Sequence, residues 1–309
     1  MEVYNKETAE LHELMVVSSL EERNAYFLRN CHTIGYPDQL DFRWVKKGKT
    51  KASLTLAISK NREATSLPQS PFGGIWIEEN LSSAALESFI RAVLEDLSHR
   101  AVSFVKIIQP PKPYESNLDL INYLLFKLGF GQESVLSHQF FIGKKKIKKL
   151  VHLESPKYTS KCKELGLKVQ SGPIQSFGFL QDIKTWNQAR GYDILFDDSR
   201  LISQVSDFPE RYFLISLLKE GKAVAHTLGV KLLPDSIYYF LSAAQPGGTI
   251  KNLGEMCLFQ LFQLASDQKL NFIDLGSSDS DSGANHSLIF FKSRFSNDIS
   301  NKVTWTLKL

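Results

Sequence analysis

Cysteine is scarce in this chain, and the three present, Cys31, Cys162 and Cys257, are odd in number, far apart and in no CxxC pair. Neither a disulfide framework nor a zinc site is therefore suggested, and a reducing compartment is expected. Also missing is any run near the ~18 uninterrupted apolar residues that a spanning helix needs. The opening stretch MEVYNKETAELHELMVV is acidic, without the basic start and apolar core of a signal peptide. A cytoplasmic protein with no membrane span is the expectation. The histidines show no ligand spacing with cysteine or carboxylate, so no metal is predicted. Charge of one sign is in small excess as well. A formal net charge of +4 over 309 residues is too little to announce a nucleic-acid binder.

What is there is the profile of a soluble globular chain, 43% hydrophobic and 23% charged, long enough for two cores. Between Leu81 and His99, apolar Leu86, Phe89, Ile90, Val93, Leu94 and Leu97 recur at helical spacing behind N-cap candidates Asn80, Ser82 and Ser83. A β-rich VSFVKII follows, then the turn QPPKP, an apolar helix over 117–128 and the strand-like SVLSHQFFI. The C-terminal part repeats that order: a helix from about Asn252 to Ser266, the strand LNFIDL, a Ser/Asp/Gly loop, a helix holding Lys292 and the closing strand KVTWTLKL. One offset of 165 maps Lys127 to Lys292, Phe126 to Phe291, Phe130 to Phe295 and Ile108 to Ile273. It runs without a gap from Val105–Ile142 to Leu270–Leu307.

Strand candidates precede each helix: LDFRWVKK, KASLTLAIS and FGGIWI in the first half, RYFLISLLKEG, KAVAHTLGVKLL and SIYYFLSAA in the second, the latter separated by turn signals as in a meander. The expected architecture is α/β of the α+β type: two tandem domains, each a mixed, mostly antiparallel sheet flanked by helices. They would span 1–150 and 151–309, with GKKKIKKLVHLESPKYTSKCKELGLKV as a basic connector.

A three-strand meander, a long helix, a strand ending FIDLG, a polar loop and a helix ending FKSRF resemble the C-terminal half of FemABX-type peptidyltransferases, tandem members of the GNAT acyltransferase superfamily. LPQSPFGGI, residues 67–75, is similar to a Pro-x-x-Ser-Pro-Phe-Gly-Gly segment of such proteins. The resemblance implies transfer of an acyl or aminoacyl group to an amine on a small-molecule, peptide or sugar acceptor. Acyl-CoA or aminoacyl-tRNA would serve as donor. It also implies that the second domain is catalytic and the first structural, lining the cleft.

By the same resemblance Lys292 would stabilise charge on the transferred carbonyl and Phe291 would wall the channel; the plain alternative is a lysine snorkelling from a packed helix. QPGGTI matches part of the superfamily's pyrophosphate turn through Gln245 and Gly248, with Gly247 beside them. Ile250 stands where a small residue belongs. Asp274 ends a buried strand and would orient or deprotonate the acceptor amine. Ser277 and Ser278 open the loop to the next helix, in which Asp279 and Asp281 would compete with an anion or cap the helix. Of Tyr238 and Tyr239, adjacent on a strand, one faces the interior and the other the cleft, where it would bind substrate. His226 reads as a hydrogen-bonded strand histidine or a general base. Lys144, Lys145, Lys146, Lys148 and Lys149 would add salt-sensitive contact to tRNA or an anionic precursor. Two rivals remain at this stage: an acetyl-CoA-dependent N-acetyltransferase, and a catalytically silent module that binds an anionic ligand.

Overall fold

Ser82 starts the first long helix. Its Oγ accepts from the Ala85 N–H at 3.3 Å, and α1, Ser83–His99, buries Leu86, Phe89, Ile90, Val93 and Leu97 on one face. In this computed structural model, which describes residues 12–18, 25–31, 33–192, 196–280 and 283–309, that face packs into the first hydrophobic core. Asp281 lies outside the described residues.

The chain divides into two compact units, residues 1–138 with 300–309, and residues 139–299. Unit 1 holds β1 (Glu13–Ser18), β2 (Asp38–Lys46), β3 (Lys49–Ile58), β4 (Glu63–Ser66), β5 (Ile75–Ile77) and β6 (Phe104–Ile108), with α2 (Leu118–Lys127) after β6. Strands β1 to β3 form an antiparallel meander, β4 and β5 each pair with β3, and β4 runs parallel to β6. Phe42, Leu54, Leu56 and Trp305 pack with the apolar faces of α1 and α2 as its core. Each such side chain contributes roughly 1.5–3 kcal/mol on burial.

β7 (Gly131–Ile142) crosses the division at 138/139, where the sequence placed a boundary near 150. The last strand, β15 (Asp298–Lys308), read as part of the second half, pairs its Thr304–Lys308 antiparallel with β6, so residues 300–309 belong to unit 1. Strand pairing, not chain order, assigns them.

In unit 2 most of the stretch read as a basic connector is a 21-residue helix, α3 (Lys144–Glu164), with Pro156 inside it. Ile147, Val151, Tyr158 and Cys162 form its buried stripe, and the Tyr158 ring stacks on Phe259 at 4.1 Å between centroids. That packing outweighs the lost hydrogen bond at the proline. The unit continues with β8 (Leu167–Pro173), α4 (Gly178–Gln188), α5 (Asp198–Asp207), β9 (Tyr212–Lys219), β10 (Lys222–Val230), β11 (Ser236–Ala244), α6 (Leu253–Asp267) and β12 (Phe272–Ser277). A two-residue ribbon β13 (Asp279–Ser280) and β14 (Gly283–Ala284) then leads into α7 (His286–Ser293). Strands β8 to β11 are antiparallel neighbours, and β12 joins β11 in parallel. Leu258, Leu261 and Phe262 of α6 pack on Ile215, Ile237 and Ile273 from one face of this sheet. Each unit therefore has a mixed, mostly antiparallel sheet with helices, the α/β architecture read from the sequence. Among the described residues no helix is long and apolar enough to cross a membrane.

Candidate active site

β11 and β12 share only three register pairs, Ser236 with Phe272, Ile237 with Ile273, and Tyr238 with Asp274. Beyond Tyr238 the ladder between them stops, and the two strand ends leave a wedge in the sheet of unit 2. The cause is local. Asp274 Oδ1 accepts from the Gly276 N–H at 2.7 Å, and Gly276 takes a left-handed φ of 73° that bends β12 near its end. A Cβ there would stand 3.2 Å from Tyr238 Cε2, so glycine also lets the tyrosine ring lie against the turn.

Lys292 enters this wedge from α7. It is only 4% exposed, and its Nζ donates to the Ser277 carbonyl at 2.5 Å. Burial pulls its pKa down to about 8, against the upward pull first of Asp274 and then of Asp279. The ammonium form still predominates at neutral pH. Asp274 is fully buried, and Tyr238, whose hydroxyl lies deep, has its pKa raised by burial and then by the Asp274 charge. The loop between Ser277 and α7 is fixed at both ends. Ser278 O accepts from the Asn285 N–H at 2.8 Å, and Asn285 Oδ1 caps α7 by accepting from Leu288 N–H at 3.0 Å. Ser278 itself is 2% exposed, and its Oγ is buried without a hydrogen-bond partner.

Tyr239 turns to the opposite face, packing with the α6 core, where burial first and the neighbouring Cys257 push its phenol up to about 12. It does not join Asp274 and Lys292. Phe291 also points elsewhere than its neighbour Lys292: it packs partly against Phe295 and lines a pocket of about 310 Å³ at the start of α6. Gln245, Gly247 and Gly248 line the same pocket, with Ile250, Arg190 and Arg294. Ile250 is partly buried against the core as well, which draws it away from open solvent. Arg294 donates to Glu255 at 3.0 Å, and Glu255 also accepts from Tyr158 Oη at 2.9 Å. Two arginines against one carboxylate leave this pocket cationic beside the first N–H groups of a helix, a setting that favours an anion.

A larger pocket, about 580 Å³, shares Glu255 and Arg294 with it and carries Lys146, Lys149 and Lys157 of α3 above a floor that includes Phe259 and Phe295. Lys144, Lys145 and Lys148 are exposed on the same helix. The structure thus gathers Lys292, Asp274, Tyr238, Ser277 and Ser278 at the wedge, and Phe291 with the Gln-Pro-Gly-Gly turn at the pocket. Sequence reading missed Gly276, whose signal is a glycine two residues beyond a strand-end aspartate, and it missed Arg190, Arg294 and Glu255. No group of three or more His, Cys, Asp or Glu side chains among the described residues is placed to hold a metal ion.

Neither family models nor curated protein sequences match the chain. Solved structures do. A crystal structure of FemX superposes with a TM-score of 0.65 at 12% identity over 88% of each chain. The C-terminal domain of a putative lysylphosphatidylglycerol synthetase from Agrobacterium fabrum gives 0.56 at 10% identity, covering 98% of this chain and 92% of that one. A tandem GNAT protein from the clavulanic acid biosynthesis pathway gives 0.54 at 9% identity over 96% and 98%. The chain therefore has the fold of FemX and of that tandem GNAT protein.

Proposed function

We propose that the protein is an acyltransferase that moves an acyl or aminoacyl group to an amine by direct attack, with the chemistry in unit 2. The observation that carries this reading is a buried ammonium, Lys292, held beside Asp274 where β11 and β12 part. The amine nitrogen attacks the donor carbonyl as negative charge builds on its oxygen; collapse then breaks the bond to the carrier, which leaves as a thiol of CoA or a ribose hydroxyl of tRNA with the proton that the amine gives up. Lys292 Nζ has three donors, one of them engaged by Ser277 O, and a cation in so water-poor a place stabilises an oxyanion by about 2.7–4 kcal/mol. The β11 backbone after Tyr238, on the edge where the ladder to β12 has ended, and the unpartnered Ser278 hydroxyl supply further polar groups. Asp274 orients the lysine and the incoming amine.

The donor in this reading is an anionic carrier whose phosphates lie at the cationic pocket by Gln245, Gly247 and Gly248. The lysines of α3 support an aminoacyl-tRNA, whose backbone would extend along that helix. The Gln-Pro-Gly-Gly turn at a helix start favours a second reading with acyl-CoA, for which the turn would cradle the pyrophosphate. The proposal places the protein in the cytoplasm, in keeping with its three free cysteines. Calorimetric titration tests the donors. Saturable one-to-one binding of acetyl-CoA, weakened on replacing Arg294 with alanine, selects the CoA reading; binding of charged tRNA alone, falling steeply with salt, selects the tRNA reading. Binding of neither removes both.

A further inference from the structure

A further pocket in unit 2, sharing no lining residue with the one at the Gln-Pro-Gly-Gly turn, opens between β8, β9, β10 and α4 and holds about 340 Å³. Inside it three side chains from distant parts of the chain form a line. Ser216 Oγ lies 2.8 Å from His226 Nδ1, and His226 Nε2 lies 3.2 Å from Asp182 Oδ2. A carboxylate only accepts, so Nε2 carries the ring proton and Nδ1 accepts from the serine hydroxyl. The imidazole is 4% exposed, stacked on Trp186 at 5.3 Å and 9°, with Phe179 at 6.1 Å. Burial first of all lowers its pKa, against the pull of Asp182, which keeps the ring neutral.

The charge inventory of this pocket differs from that of the two pockets described above. Among the described residues that line it, Asp182 is the one formally charged, with no lysine or arginine. Its carboxylate is about half exposed (46%) and spends one acceptor position on His226. The other polar side chains, Gln170, Ser171, Gln175, Ser176 and Ser216, are neutral hydrogen-bonding groups. In a chain of net charge +4, a concave site with one fixed carboxylate, a neutral histidine and an aromatic wall repels phosphates and attracts a cation. A simple buried strand histidine would need its two ring partners but not a cavity around them.

We propose that this pocket binds the ammonium end of a small, hydrogen-bonding amine, with Asp182 as counter-ion, Phe179 as apolar wall and the serine and glutamine side chains holding the rest of the ligand. The site goes beyond the transfer chemistry and needs no donor to be tested. His226 and Trp186 report on it by NMR through the imidazole and indole resonances. The probes are 5-aminopentan-1-ol and pentane-1,5-diol, alike in length and differing in one ammonium.

The amine is expected to shift both resonances saturably, with about tenfold weaker binding to the Asp182→Asn variant, whose half-exposed side chain makes it a mild change to the fold. The Lys292→Ala variant should bind the amine as the wild type does, which separates this site from the wedge. Equal binding of the diol, binding indifferent to Asp182→Asn, or no saturable shift with either compound would each overturn the proposal. None of those results touches acyl transfer, and failed transfer would leave this binding intact.

Discussion

Lys127 and Lys292 occupy the same position of one repeated motif, and the two units have made opposite use of it. Lys127 is exposed at the end of α2, its Nζ 5.6 Å from the centre of the Tyr123 ring, beside a Phe126 that is 64% exposed. Lys292 is buried against Ser277 O. The same offset of 165 sets Gln109 against Asp274. Gln109 is fully buried and stitches β5 in place, its Oε1 accepting from Ile75 N–H at 3.1 Å and its Nε2 donating to Ile75 O at 2.9 Å.

In unit 1 the space beyond the parallel pair is filled by the chain itself. Gly73 N–H donates to Ile108 O at 3.0 Å, and a Cβ on Gly73 would fall 2.7 Å from the Ser66 carbonyl carbon. A Cβ on Gly74 would fall 2.4 Å from Pro110 Cδ. The SPFGG segment is thus a plug whose glycines permit close backbone approach. In unit 2 the ladder between β11 and β12 ends at Tyr238 and Asp274, and an ionisable pair stands where unit 1 has a neutral amide. A motif used twice can keep its strand and helix frame in both copies and bury an ionisable pair in only one.

The largest effect should separate the two lysines. Lys292→Ala is expected to lower the transfer rate by roughly 10²–10³-fold, the usual loss for one oxyanion donor, while Lys127→Ala leaves it within about twofold. Equal losses in single-turnover assays would break the comparison. Next is the plug: Gly74→Ala, at φ 69° with no room for a Cβ, should destabilise the protein by about 3 kcal/mol in urea unfolding. Gly276→Ala, also left-handed but with its nearest contact at 3.2 Å from a movable ring, should cost about 1–2 kcal/mol. If Gly276 proved the costlier position, the open wedge would be the more tightly packed of the two.

A pH profile sharpens the same contrast. Lys292 is charged below about 8 and neutral above, and only the charged form stabilises an oxyanion, so kcat should fall about tenfold per unit well above pH 8. Lys292→Arg should remove that limb from the accessible range, because a guanidinium stays protonated. The smallest effect belongs to α3: Lys144→Ala with Lys148→Ala should weaken binding of an RNA donor by a few fold and flatten its salt dependence, without changing the transfer rate at saturating donor.

Much of this contrast was legible in the residues. The offset that pairs Phe126 with Phe291 and Ile108 with Ile273 exposed the repeat, because amphipathic helices and β-rich strands leave periodic traces in sequence. It also held the Gln109 and Asp274 correspondence, since the rule reaches the strand ends as well as the lysines. What the sequence hid depends on tertiary contact. The helix α3 reads as a linker because its lysines and Pro156 mask a stripe made of Ile147, Val151, Tyr158 and Cys162. The burial of Lys292 has no local signature, since Phe-Lys-x-x-Phe also surrounds the exposed Lys127. Asp182, Ser216 and His226 are drawn together only by the pairing of β9 with β10 and the seating of α4 on the sheet. Only the strand histidine could be singled out beforehand. Helices α4 and α5 left fainter marks, Leu180, Ile183 and Trp186 at helical spacing and Asp197 as an N-cap.

The central claim is that the second copy of the motif carries the chemistry. Its most direct test is single-turnover transfer from the bound donor to an amine acceptor by wild type, Lys292→Ala and Lys127→Ala proteins at matched donor occupancy. A rate lost in the Lys292 variant and kept in the Lys127 variant is the predicted result. An undiminished rate in the Lys292 variant would contradict the account and move the chemistry out of the wedge between β11 and β12.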